Sequence, residues 1–227
     1  MGRTGRKAVC GLARWRSLPH DFPKWQTVYA YFRRFERDGC WEAINRVLLR
    51  QTRQAAGRDP DPSAALLDAQ TVRGGPQAGP RGVDAARKTN GRKRHVLVDT
   101  LGLLLVVLMT SANVQDRTGG KLVLAYAKRR FARLKLVWAD QRYEHGLVEW
   151  VKQWCKWVLE IVRPPEGQRG FRILPRRWVV ERSLAWYTRS RRLSRDYEGR
   201  ARTSESWLYL ANIRLMLRRL ESTRDPS

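Results

Sequence analysis

Residues 94–110 read RHVLVDTLGLLLVVLMT, in which two apolar runs flank a short polar segment that contains a glycine. Apolar runs of about 4–8 residues on either side of a tight turn are typical of a β-hairpin. We therefore predict strands over Arg94–Val98 and Leu103–Thr110, joined by a turn over Asp99–Gly102. The remaining strands of the chain are expected to join this hairpin in one sheet.

Strand-like and helical segments alternate around the hairpin. Apolar runs predict further strands over Ala65–Asp68, Leu134–Ala139 and Trp157–Val162. Apolar residues at helical spacing predict helices over Lys121–Phe131, Gly146–Lys156, Arg176–Arg195 and Thr203–Leu220. This order of elements indicates an α/β fold in which a mixed sheet is flanked by helices.

A small helical region precedes the sheet. Aromatic and apolar residues recur at helical spacing over Trp25–Arg37, and the pattern resumes at Trp41 after Gly39. Arg53–Ser63 contains a glycine and two prolines and is predicted to be a linker. We place a helical region at residues 1–59 and a second domain at 60–227. Because basic residues dominate the first region, its helix pair either binds DNA or only packs on its neighbour.

The composition favours a polyanionic partner. With 46 Lys and Arg against 21 Asp and Glu, the formal net charge is +25. Cys10, Cys40 and Cys155 form no C-x-x-C pair, which indicates a reducing compartment. The longest apolar run, Leu101–Met109, is far shorter than the ~20 residues that span a bilayer. We expect a cytoplasmic protein with no membrane partner.

Common catalytic motifs are missing from the sequence. It has no G-x-x-x-x-G-K-[ST], no G-x-S-x-G and no H-E-x-x-H. Its histidines, His20, His95 and His145, are scattered, which argues against a histidine-built metal site. His95 follows Arg92-Lys93-Arg94 and is expected to be a solvated neighbour of that basic patch.

Carboxylates are the remaining candidates for chemistry. Asp68 and Asp140 each close a strand-like run, and acids at strand ends can meet at the rim of a sheet. Asp residues at such positions also cap helices or start turns. Glu181 borders an apolar face of its predicted helix, although it could simply pair with Arg177 at i and i+4. Three converging carboxylates would repel one another unless a cation such as Mg²⁺ lay between them, as in phosphodiester chemistry with two metal ions.

The sequence resembles the DDE transposases of bacterial insertion sequences, in the branch of the IS4-like superfamily named after insertion sequence five. The likeness extends from about Trp15 to Leu220. Its main segments are residues 18–29, 66–72, 91–105, 111–117 and 178–182, with a typical ending at 215–220.

The resemblance implies a ribonuclease H-like fold with Asp68, Asp140 and Glu181 as the catalytic, metal-binding triad. It implies that Mg²⁺ or Mn²⁺ supports DNA strand cleavage and strand transfer at the terminal inverted repeats of an insertion sequence. The implied partners are those repeats and target DNA, bound by a homodimer at the nucleoid. Related chains carry more helical turns before the segment that matches Trp15, so we expect a shortened N-terminal region.

Two groups of basic residues are candidate DNA contacts. Arg92, Lys93 and Arg94 lie beside the predicted hairpin and are expected to jut from the sheet towards phosphate. The resemblance implies a second group of DNA contacts around the third acid, namely Arg177, Arg189 and Arg192. Arginine binds phosphate through a planar fork, but an arginine-rich helix face can equally be solvated, and GC-rich codons also favour arginine.

Two other functions remain open at this point. The chain could be a ribonuclease H-like nuclease that hydrolyses DNA without rejoining it. It could also be an inactive transposase remnant that only binds DNA, in which case affinity should fall steeply with salt and no product should form.

Overall fold

The computed structural model describes residues 15–163 and 176–224, which form a mixed sheet surrounded by helices. The strands are Ala64–Arg73 (β1), Gly82–Asp84 (β2), Thr89–Asp99 (β3), Leu104–Ser111 (β4), Leu136–Ala139 (β5) and Val158–Ile161 (β6). The helices are Trp25–Arg37 (α1), Cys40–Ala55 (α2), Asp116–Lys128 (α3), Leu147–Trp150 (α4), Trp178–Thr188 (α5) and Ala201–Arg224 (α6). A π-helical turn, Val151–Cys155, continues α4.

β1 lies at the centre of the sheet and has one antiparallel and one parallel neighbour. It pairs antiparallel with β3 and parallel with β5, while β4 extends the sheet beyond β3 and β6 extends it beyond β5. The short β2 pairs with the first residues of β3. The predicted α/β class with a mixed sheet is therefore confirmed, and so is the hairpin of β3 and β4.

Each face of the sheet carries its own apolar cluster, because successive residues of a strand point to opposite faces. On one face, Leu67 of β1 joins residues of α3 and α4. On the other, Leu66 of β1 and Trp138 of β5 join Val180 and Leu184 of α5. The second face is therefore the one on which α5 lies.

The N-terminal helices pack onto this same body. The Asn45 side chain of α2 donates to the carbonyl of Leu104 in β4 (2.8 Å) and accepts from the Asn212 amide of α6 (2.7 Å). Phe32 of α1 stacks on Trp207 of α6, with ring centroids 4.9 Å apart. The helix pair therefore packs on its neighbour, which is one of the two roles considered for it. No helix in the described ranges has the length and apolarity needed to cross a membrane.

Several predicted bounds are wrong for identifiable reasons. β1 continues to Arg73 because its antiparallel partner β3 pairs with it along that whole length, so Asp68 lies within the strand and not at its end. The helix predicted to reach Arg195 stops at Thr188, because buried Leu193 draws the following turn back to the core. α2 runs through Ala55, so the linker begins later than predicted.

The expectation that Arg92, Lys93 and Arg94 jut from the sheet is wrong. They lie on β3, an interior strand between β1 and β4, and each is at most 5% exposed. The Arg92 guanidinium pairs with Asp196 (3.1 Å) and also donates to backbone carbonyls. The Lys93 ammonium lies 2.7 Å from an oxygen of Asp116. These cations are engaged inside the protein.

His95 is also buried, not solvated as predicted. Its Nε2 lies 2.9 Å from the Thr110 hydroxyl, and burial, its largest influence, lowers the pKa of the imidazole to about 4. Its ring packs directly against Gly119 of α3, where a Cβ atom would lie 2.1 Å from ring carbon Cε1.

We therefore expect Gly119→Ala to destabilise the protein by at least about 2 kcal/mol, since overpacking a buried contact forces the helix away from the sheet. Urea unfolding followed by circular dichroism measures this change. Gly199→Ala is the matched control: no atom lies within 4 Å of the added methyl group, so the free energy of unfolding should change by less than about 0.5 kcal/mol. Equal unfolding midpoints for the two variants would contradict the packing described here.

Candidate active site

The strand register places Asp68 beside Asp140. Leu66 pairs with Trp138 across the parallel β1–β5 ladder, and two more residues along each chain lead to the two aspartates. β5 ends at Ala139, so Asp140 lies where the parallel ladder stops. Because side chains two residues apart share a face, both aspartates project on the face covered by α5.

Asp68 is a buried carboxylate without a paired cation. It is 9% exposed, accepts a hydrogen bond from the Ala69 amide (2.7 Å) and forms no ion pair with any other described residue. Its pKa is raised to about 6. Burial is the largest cause, and the charges of Asp140 and Glu181 also raise it. The backbone hydrogen bond and Arg177 act in the opposite direction. All three predicted acids therefore interact electrostatically.

Glu181 reaches the same face from the first turn of α5. Nη2 of Arg177 lies 3.2 Å from Oε1 of Glu181 and 3.8 Å from Oδ2 of Asp140. The i and i+4 ion pair considered for Glu181 therefore exists, and it extends to a second acid. The other oxygen of Asp140 accepts the Arg142 amide (3.0 Å), which fixes the turn after β5.

The donor set suits a hard divalent cation, although the side chains are not gathered around one point. Three carboxylates supply only oxygen ligands, and the pKa of Asp68 is raised first by its burial and then by the charges of the other two acids. Among residues 15–163 and 176–224, no group of three or more acidic, His or Cys side chains is close enough to bind a metal as placed. One guanidinium nitrogen of Arg177 lies near both Asp140 and Glu181.

The other arginines predicted around the third acid have different surroundings. Arg189 is exposed at the end of α5 and makes no ion pair within the described chain. Arg192 lies beyond the helix, where its guanidinium pairs with Glu198 (2.7 Å) and stacks over Trp207. Of this group, Arg177 alone contacts the acids in the described part of the chain.

The structure adds one neighbour that sequence reasoning did not assign to the site. Tyr143, in the turn after Asp140, is fully buried, and its hydroxyl has no hydrogen-bond partner within the described chain. Burial, with the charges of Asp68 and Asp140 among its neighbours, keeps the pKa of this phenol well above its usual range. Its place after Asp140 was visible in the sequence, but its burial was not.

Comparison with known families identifies the family of the chain. The model of the transposase DDE domain family matches residues 59–216, which include all three acids. The chain belongs to this transposase DDE domain family. Its α/β body with a mixed, helix-flanked sheet is accordingly ribonuclease H-like, as expected.

Two further similarities agree with membership of this transposase family. Residues 8–45 match a family described as "Putative transposase of IS4/5 family". A Burkholderia cepacia protein named "Putative transposase for insertion sequence element IS402" is 31% identical over 144 residues, which cover 60% of this chain and 67% of that protein. The resemblance to insertion-sequence transposases is therefore confirmed.

Proposed function

We propose that this protein cuts DNA at the terminal inverted repeats of an insertion sequence and joins the released ends to target DNA, with Mg²⁺ or Mn²⁺. The observation that carries the proposal is the strand register that brings Asp68 beside Asp140 on the α5 face, where Arg177 contacts both Asp140 and Glu181. Residues 60–227 would form the catalytic domain, and residues 1–59 would assist DNA binding.

Each acid would make a different contribution to holding the cation. Asp68 is positioned by the interior strand β1 and by the Ala69 amide, so it offers a rigid oxygen ligand. Asp140 is held at the end of β5 by the Arg142 amide. Glu181, whose side chain is 40% exposed, has the freedom to adjust to the ligand. When bound, divalent metal in such a site activates a water or 3′-hydroxyl and stabilises the leaving oxygen.

DNA would approach the exposed side of this acidic cluster. The net charge of +25 supplies long-range attraction for the duplex, and Arg177 and Arg189 flank the two ends of the helix that carries Glu181. Arg92, Lys93, Arg94 and Arg192 already have partners or lie buried, so they are left out of the proposed contacts. Joining two element ends to one target favours a homodimer on DNA.

The deciding experiment supplies purified protein with pre-cut element ends that carry a free 3′-hydroxyl, target plasmid and Mg²⁺ or Mn²⁺. We expect joined product, detected by gel electrophoresis and by sequencing of the junctions. Hydrolysis of uncut ends without joining would instead favour the nuclease. Salt-sensitive binding with no metal-dependent product would favour the DNA-binding remnant.

A further inference from the structure

The Arg177 guanidinium contacts two acids of the candidate site and acts electrostatically on the third. Arg177 contacts Glu181 at 3.2 Å and Asp140 at 3.8 Å, and its charge also lowers the pKa of Asp68. Its side chain is only 20% exposed, so solvent screens these contacts less than those of a surface pair. Within residues 15–163 and 176–224, Arg177 is therefore the cation that pairs with acids of this cluster.

The adjacent arginine has no such contacts. Arg176 adopts a left-handed backbone conformation (φ 72°), two residues before α5 begins. Its guanidinium lies 3.7 Å from Glu160 and stacks over the Trp138 ring at 4.6 Å. Two consecutive arginines thus have separate partners, and Arg177 is the one directed at Asp140 and Glu181.

We propose that Arg177 competes with the divalent cation for Asp140 and Glu181, so that metal binding requires displacement of this guanidinium. The inference rests on the proposed function, in which the acids hold the metal. Mg²⁺ binds oxygen at ~2.0–2.1 Å, so an ion held by both carboxylates would need the space that Nη2 of Arg177 occupies, 3.2 Å from Glu181 and 3.8 Å from Asp140. A dication and a guanidinium in that space would also repel each other. Arg177 therefore sets the cation affinity of the site.

The test is the affinity of the full-length protein for Mn²⁺, measured by isothermal titration calorimetry without DNA. Arg177→Gln removes the competitor and should bind Mn²⁺ about fivefold to tenfold more tightly than wild type. Arg176→Gln is the matched control, since it removes the same charge from the adjacent residue without touching either acid. Its affinity should change by less than about twofold, because only a screened charge is lost.

Thermal unfolding gives a second readout. Without added Mn²⁺, Arg177→Gln should melt at a lower temperature than wild type, because its carboxylates lose their nearest cation. Saturating Mn²⁺ should then raise its melting temperature by more than that of wild type, as expected for tighter binding to the native state. Arg177→Lys keeps the charge on a compact, more strongly hydrated ammonium that should pair less well with the two acids, so its Mn²⁺ affinity should lie between those of wild type and Arg177→Gln.

An equal increase in Mn²⁺ affinity in Arg176→Gln and Arg177→Gln would overturn the inference. The lower net charge of either variant, and not displacement of Arg177, would then explain the increase. Wild-type affinity in Arg177→Gln, with Mn²⁺ binding that Asp140→Asn weakens, would overturn it while leaving the proposed metal site intact. If neither wild type nor Arg177→Gln binds Mn²⁺, both the inference and the metal site of the proposed function fail. Should Arg177→Gln not fold, wild-type affinity in Arg177→Lys would overturn the inference instead.

Discussion

DNA strand cleavage by the Asp68→Asn variant is expected to fall by at least about a thousandfold, because the proposed cation loses a charged oxygen ligand and several kcal/mol of transition-state stabilisation. Asp140→Asn and Glu181→Gln should have effects of the same order. The measurement is cleavage of labelled element ends with Mg²⁺ or Mn²⁺, together with DNA binding by gel shift. DNA binding should persist in each variant, since its main source is the basic surface.

Asp68→Asn should also be more stable than wild type. A loss of cleavage in this variant then cannot be explained by unfolding. Burial raises the pKa of Asp68 from 3.8 to about 6, so the folded state disfavours its charged form. The stability that this group contributes when protonated is lost as pH rises from about 4 through about 6. At pH 8 without divalent metal, the uncharged isostere should gain on the order of 1–3 kcal/mol in urea unfolding.

Asp38→Asn is the control for this set, since Asp38 is an exposed acid at the end of α1. It should cut DNA at the wild-type rate. Wild-type cleavage by Asp68→Asn or Glu181→Gln would show that the triad is wrongly assigned, whatever the stability of the variants.

Arg53→Met is expected to destabilise the protein by about 3–5 kcal/mol, the range for breaking a buried ion pair by removing one partner. The Arg53 guanidinium pairs with Asp99, which is fully buried and whose other oxygen accepts the amides of Leu101 and Leu103. The pair joins the end of α2 to the β3–β4 turn. Without it, a carboxylate remains buried with no opposing charge. Chemical denaturation reports the change.

The double variant Arg53→Met with Asp99→Asn should recover part of the loss, because it removes the isolated charge as well. Arg50→Gln is the matched control: Arg50 and Asp61 lie 3.5 Å apart but each is about half exposed. Such surface pairs contribute roughly 0–1 kcal/mol. An Arg53→Met variant no less stable than Arg50→Gln would refute this role for the buried pair.

The sequence predicted those helices and strands whose buried residues follow from the apolar pattern of the segment itself. The bounds of α1 match the aromatic spacing, and the strands β3 and β4 follow from apolar runs around a turn. It failed where polar residues are buried by partners far along the chain. Arg92 is buried because Asp196 reaches it across more than a hundred residues, and no local pattern contains that pairing.

The contacts of the candidate site likewise fall into those that a local pattern predicts and those that depend on the packing of distant elements. The prediction that two strands bring Asp68 and Asp140 together could be made from acids that follow apolar runs, although β1 proves longer than expected. The pairing of Arg177 with Glu181 follows from helical spacing. The additional contact of Arg177 with Asp140 depends on how α5 crosses the sheet, which spacing within one helix does not encode. Their catalytic roles remain predictions.

α6 is synthesised long after α1 and α2, yet it completes their packing. α6 stacks Trp207 on Phe32 of α1 and bonds Asn212 to Asn45 of α2. Translation adds roughly 5–20 residues per second, so the aromatic side of α1 stays uncovered for about 9–35 s before Trp207 is made. Products of premature termination before α6 would keep that side exposed, which makes them substrates for chaperones and proteases before they could compete for DNA ends.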